Sequence, residues 1–178
     1  MNAGAGMHER PLERETGTHR TQLGQLYARC APEGVRLAFL LTGDQNTAED
    51  LVQEAFLRMV GRLQFLREAE ASRAYLRRTI VNLSKDHFRR KAVERSYLER
   101  QAGAPLLESS DADVATQAAM RSALLSLPSR QRCAIVLRYY EDLPDKAIAD
   151  ILHCRTGTVR SLISRGVAAL RGVPEVTT

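Results

Sequence analysis

The chain has 178 residues, 44% hydrophobic and 26% charged, with a formal net charge of +5. That length holds one medium domain or two small ones, and the composition is that of globular material rather than of a disordered or membrane-embedded chain. Aromatics are 5% and Trp is absent, so any core is built from Leu, Ile, Val and Ala, as in helical bundles.

Residues 1–19, MNAGAGMHERPLERETGTH, hold Gly, Pro and charge without a sustained period and read as a flexible tail. Met7 stands beside Met1 as a second possible start. No signal-peptide-like apolar stretch is present, and no run approaches the roughly 18 apolar residues of a membrane span. A cytoplasmic protein without membrane insertion is expected. Cys30, Cys133 and Cys154 are odd in number and far apart, which fits small thiols in a reducing compartment.

From Thr21 a helical period takes over, with Leu23, Leu26 and Tyr27, then Val35, Leu37, Ala38, Leu40 and Leu41, ending at a Gly43-Asp44 turn. Thr47-Ala48-Glu49-Asp50 offers a hydroxyl N-cap with an acid three residues on. Leu51, Val52, Ala55, Phe56, Met59, Val60 and Leu63 follow at spacings of three and four, and the opposite edge shows Asp50, Gln53, Glu54 and Arg58. A further helix is expected from about Ala71 to Arg90, with Leu76, Ile80 and Leu83 on one side. Seven basic residues stand between Arg73 and Lys91 against the single Asp86. Nothing alternates with period two, so residues 20–100 read as a domain of three or four packed helices.

Residues 101–115, QAGAPLLESSDADVA, combine Gly, Pro, paired serines and three acids, the composition of an extended flexible linker. A second helical domain follows over 116–172, and 173–178 form a short tail. Its helices are expected at Thr116–Ser126, Ser129–Tyr140, a short one ending at Leu152, and Thr156 to about Leu170, with stops at Pro128 and Asp142-Leu143-Pro144.

Ile148, Ile151 and Leu152 make an i, i+3, i+4 stripe, and Val159 and Ile163, extended by Val167 and Leu170, make its match. Helices this short cannot bury their apolar faces alone, so they cross each other as a helix-turn-helix does. The last helix keeps a free face carrying Thr158, Arg160, Ser161, Ser164 and Arg165 with no carboxylate among them. Hydroxyls and guanidinium groups reach phosphate oxygens and base edges. Arg155, Arg160 and Arg165 recur every five residues, a turn of about 140° per step, a spread that suits a helix lying in a groove with a phosphate strand on each flank better than the alternative of a merely solvated face. The free amides at the helix start add a phosphate site.

With its other half, the chain resembles a bacterial sigma factor of the sigma-70 family, in the two-domain extracytoplasmic-function group. TGDQNTAEDLVQEAFLRMV (42–60) resembles the polymerase-binding helix, SRAYLRRTIVNLSKDHFRRK (72–91) the promoter-opening helix, and the stretch from Leu124 to Arg171 the C-terminal helix-turn-helix. The resemblance implies an all-α protein of two small domains on a flexible linker, with core RNA polymerase, promoter DNA and an anti-sigma factor as partners. It implies that Asp50, Gln53 and Glu54 meet the polymerase, and that Tyr75, Asn82, Lys85, Arg89 and Arg90 meet the opened minus-ten strand. Thr156, Thr158, Arg160, Ser161, Ser164 and Arg165 would meet the duplex minus-thirty-five element.

Some positions depart from the family pattern. Tyr75 stands where Trp is usual, leaving a core role and a DNA role both open. His153 stands in a turn position that is often Gly. Arg155 replaces the usual Ser cap, making Thr156 the candidate cap. Leu162, Val167 and Ala169 replace frequent Arg, which implies a shallower salt dependence; Leu162 belongs either to the core or to a contact with a thymine methyl, with the core favoured.

Catalysis is not expected. Four His and three Cys form no metal spacing, and neither a Gly-rich phosphate loop nor a Ser/His/Asp order stands out. No cofactor and no metal are expected. The competing readings are a stand-alone regulator that binds an operator through the same helix-turn-helix, and a helical adaptor that binds only protein.

Overall fold

A computed structural model describes residues 11–60, 69–98 and 115–171. Every described element is an α-helix: α1 (Pro11–Thr42), α2 (Gln45–Val60), α3 (Ala69–Leu98), α4 (Ala115–Ser126), α5 (Ser129–Tyr139), α6 (Asp145–Leu152) and α7 (Thr156–Arg171). Residues 101–114 of the expected linker and the 173–178 tail lie outside the described residues.

Helix α1 corrects the expected tail, because residues 11–19 are helical. Pro11 suits a first helical position, where its fixed φ is already correct and its missing N–H is not needed. Once the amphipathic part of α1 is nucleated, extension adds one hydrogen bond per residue fixed. Residues 1–10 lie outside the described residues.

The α1–α2 corner also differs from expectation. Gly43 takes a left-handed φ of +75°, and its N–H donates to the Phe39 carbonyl at 2.7 Å, closing α1. Asp44 then caps α2 at once: its Oδ1 accepts the Thr47 N–H at 2.7 Å. The cap is therefore Asp44 rather than Thr47, which lies inside the first turn; a carboxylate is as good a cap as a hydroxyl and stands directly at the turn.

Leu51, Val52, Ala55, Phe56 and Met59 of α2 are buried, as their spacing requires, whereas Val60 at the helix end is exposed. They meet Leu26, Leu37 and Leu41 of α1 and Leu76, Ile80 and Leu83 of α3. In the C-terminal half, Ile148 and Leu152 of α6 meet Val159 and Leu162 of α7 over Leu137 of α5. Cys30 and Cys133 are buried and Cys154 half-buried, all unpaired. Burial pushes the Cys133 thiol up to about 11, so it behaves as a small apolar group.

The two halves pack on each other and share one continuous core. On α3, Arg77, Val81, Ser84 and Phe88 recur at i, i+4, i+7 and i+11, and this stripe faces α5. Arg77 pairs with Glu141 just beyond α5, the Arg132 guanidinium lies 4.6 Å over the Phe88 ring, and Val81 and Ser84 between them are fully buried. At the α1–α2 corner, Leu125 of α4 approaches so closely that a Cβ on Gly43 would stand 2.3 Å from Leu125 Cδ1.

Candidate polymerase and nucleic-acid interfaces

Burial of one stripe of α2 leaves Asp50, Gln53 and Glu54 together on the outer edge, all exposed. The Glu54 carboxylate accepts from Arg58 Nε at 2.9 Å across a half-exposed pair, an attachment weak enough for a partner's cation to replace. Beside this edge Tyr27 of α1 lies 4.7 Å from the Phe56 ring, yet it stays 42% exposed. An open groove runs between Tyr27, Ala31, Pro32 and Val35 on one side and Glu49 and Gln53 on the other. An apolar floor with an acid-amide rim fits a basic amphipathic helix.

On α3, Asn82, Lys85 and Arg89 are three and four apart and share a face, with Arg90 on its flank. Asn82 and Lys85 are half-buried, and Arg89 and Arg90 exposed. Arg89 Nη2 lies 3.2 Å from Asp86 Oδ1. His87 is pushed down by burial and by neighbouring Lys91 and Arg90, so it is largely neutral at neutral pH and the cationic face is made by Lys and Arg. Tyr75 is half-buried and packs against the core, with its hydroxyl 3.5 Å from the Arg58 carbonyl oxygen. Its ring thus stands on the inner flank of the helix that carries Asn82.

In the C-terminal half, His153 closes α6 in the left-handed conformation, φ 50° and ψ 57°, and the His153 and Cys154 N–H groups both reach the Ala149 carbonyl. A glycine would hold this turn at less steric cost. Helix α7 begins at Thr156, so Thr156 is its first helical residue rather than its cap; the Arg155 carbonyl accepts the Thr158 and Val159 N–H groups. Thr156, Thr158, Arg160, Ser161, Ser164 and Arg165 are all exposed. Leu162 is buried, 7% exposed, because it lies one turn from Val159 on the edge of the core stripe. Ser161 Oγ donates to the Gly157 carbonyl at 3.0 Å and Arg165 Nε to the Ser161 carbonyl at 3.1 Å, so both lie along the helix with their remaining polar atoms outward.

Folding brings to this face a group its own sequence lacks. Asp145, at the start of α6, accepts from Arg160 Nε at 2.9 Å and from Arg138 of α5, so the face does hold one carboxylate. Gly166 was likewise unremarked in the sequence: a Cβ there would lie 2.5 Å from Ile135 Cδ1, so α5 and α7 cross where only a hydrogen fits. A glycine inside an apolar helical stripe was the available signal. No described helix is long and apolar enough to cross a membrane.

Comparison with known proteins follows the same division of the chain. Residues 26–93 match Sigma-70 region 2 and residues 117–170 match Sigma-70, region 4. The RNA polymerase sigma-E factor of Streptomyces coelicolor is 31% identical over 137 residues, 77% of each chain. The ECF RNA polymerase sigma factor SigW of Bacillus subtilis is 29% identical over 150 residues, 76% of this chain and 80% of that one. In fold, the chain is similar to the sigma factor RpoE of Bartonella quintana, solved with the anti-sigma factor NepR, at TM-score 0.67 and 21% identity over 88% of this chain and 99% of that one. CnrH, solved with the cytosolic domain of CnrY, gives TM-score 0.61 and 22% identity over 89% and 91%. The exposed acid-amide edge of α2 and the basic face of α3 thus lie in region 2 and the helix-turn-helix in region 4, in family order, and the chain belongs to the sigma-70 family of RNA polymerase sigma factors, in its extracytoplasmic-function group.

Proposed function

We propose that the chain binds core RNA polymerase and directs promoter-specific initiation, with the jobs divided between residues 20–100 and 116–172. Asp50, Gln53 and Glu54 meet a basic helix of the large polymerase subunit, whose apolar side enters the Tyr27–Val35 groove. Asn82 captures a base of the opened minus-ten strand with its donor and acceptor, while Lys85, Arg89 and Arg90 follow the phosphates. Helix α7 enters the major groove of the minus-thirty-five duplex. The observation that carries this reading is the order of two matched regions, each with an exposed face of suitable chemistry.

The two elements are about 25 base pairs apart, roughly 85 Å along B-DNA at about 3.4 Å per pair. The packed arrangement sets α5 against the flank of α3, where Lys85 is half-buried. Reading both elements therefore requires the two packed halves to separate. An anti-sigma factor is a further partner, supported by the complexes in which RpoE and CnrH were solved. The protein works in the cytoplasm, where its polymerase is.

The test is salt-dependent binding of promoter duplex by the reconstituted holoenzyme. Arg165→Ala is expected to weaken binding and flatten the salt slope by about one. Insensitivity to salt in both proteins would contradict duplex reading by this domain.

A further inference from the structure

Surface ion pairs contribute little to stability, yet the outer end of the helix-turn-helix holds three charged groups from three helices in fixed order. Arg138 of α5 donates through Nη1 to the Leu143 carbonyl at 3.0 Å and through Nη2 to Asp145 Oδ1. Asp145 Oδ2 accepts from Arg160 Nε at 2.9 Å. Exposure of the side chains rises outward, from 20% for Asp145 and 32% for Arg138 to 75% for Arg160. The hydrogen bond from Arg160 and the charge of Arg138 hold the Asp145 carboxyl below the usual carboxylate range, so it stays ionised at neutral pH.

Three consequences follow for Arg160. A guanidinium gripped at Nε loses the swing of its long side chain, and its plane is set. The bond to Asp145 uses Nε, which leaves the two Nη groups as a forward-facing pair of donors, and an end-on guanidinium matches O6 and N7 of guanine in the major groove. The carboxylate does not repel DNA, because Arg138 and Arg160 outnumber it.

We propose that Asp145 is a positioning residue for base reading: it aims Arg160 at one guanine of the duplex element and so sets specificity at that base pair rather than overall affinity. This rests on the reading of α7 as the helix that enters the duplex.

The experiment uses holoenzyme made from the full chain and core RNA polymerase, and a duplex library with a randomised upstream stretch. Bound DNA is sequenced for wild type, Asp145→Asn, Arg160→Ala, the double variant and Arg165→Ala, with thermal unfolding of each protein alongside. Wild type is expected to favour guanine at one position. Asp145→Asn is expected to cut that preference about tenfold and to leave the other positions and total bound DNA nearly unchanged. Arg160→Ala should erase preference at the same position, and the double variant should add nothing further. A purely structural Asp145 would instead lower thermal stability and weaken all positions together, which would overturn the proposal, as would an unchanged guanine preference in Asp145→Asn while Arg160→Ala loses it. Indifference to Arg160→Ala and Arg165→Ala alike would bring down the reading of α7 itself.

Discussion

The guanidinium of Arg132 in α5 donates to the main-chain carbonyl of Leu41 at the end of α1, joining residues 91 positions apart. The same group also reaches the Leu125 and Leu127 carbonyls and covers the Phe88 ring. One buried cation thus satisfies carbonyls at the ends of two helices, where no intrahelical partner exists, and ties region 4 to region 2.

Arg132→Met keeps the bulk and removes every donor. The stranded carbonyls are expected to cost about 2 kcal/mol of stability, read in urea unfolding. Small-angle scattering should show a more expanded chain, since Leu41 and Phe88 lose their link to α5. Unchanged dimensions would mean that apolar contacts alone hold the halves together.

Asp44→Ala removes the cap of α2 and is expected to cost about 1 kcal/mol at neutral pH. Hydrogen bonds from Thr47 hold the Asp44 carboxyl below its ordinary value of 3.8. A depressed folded pKa means the stabilisation is complete above the unfolded pKa and disappears as pH falls through the folded one. The gap between wild type and variant should therefore be constant from pH 7 to about pH 5 and shrink in stronger acid. A gap that persists undiminished at about pH 2 would show that the carboxylate charge is not what caps the helix.

Charge reversal at Asp50 and Glu54 leaves the buried stripe of α2 untouched. Helicity is expected to be unchanged and unfolding free energy to hold within about 0.5 kcal/mol, while co-elution with core polymerase is lost. Retained co-elution would move the docking surface elsewhere on the molecule.

Asn82→Ala separates two stages of initiation. With α7 as the proposed duplex reader, closed-complex binding should survive, whereas open-complex formation, read by permanganate reactivity of unpaired thymines, should fall about tenfold or more. Equal loss at both stages would exclude strand capture by this amide.

The helices were legible in sequence where period and punctuation agreed. Leu51, Val52, Phe56 and Met59 announced the buried face of α2, and Pro128 and Pro144 stand immediately before α5 and α6. Spacing left Leu162 between the core and the outer face of α7, and only the packing against α5 and α6 buries it. What spacing could not convey was juxtaposition across long stretches of chain. Arg132 reads like any exposed arginine, because nothing local reveals that Leu41, Leu125 and Leu127 converge on it. Asp145 lies 15 residues before Arg160, and only the crossing of α6 and α7 places its carboxylate on a face that looked free of acid. The start of α1 was missed for another reason: its first turns lack an apolar stripe and are carried by the helix they extend.

Multiple-round run-off transcription with core RNA polymerase and genomic DNA fragments tests the central claim most directly. The account predicts discrete transcripts from defined start sites that appear only when this chain is added and vanish with the Asp50 and Glu54 reversals. A purified, folded chain that binds core polymerase yet yields no such transcript from any fragment would contradict it.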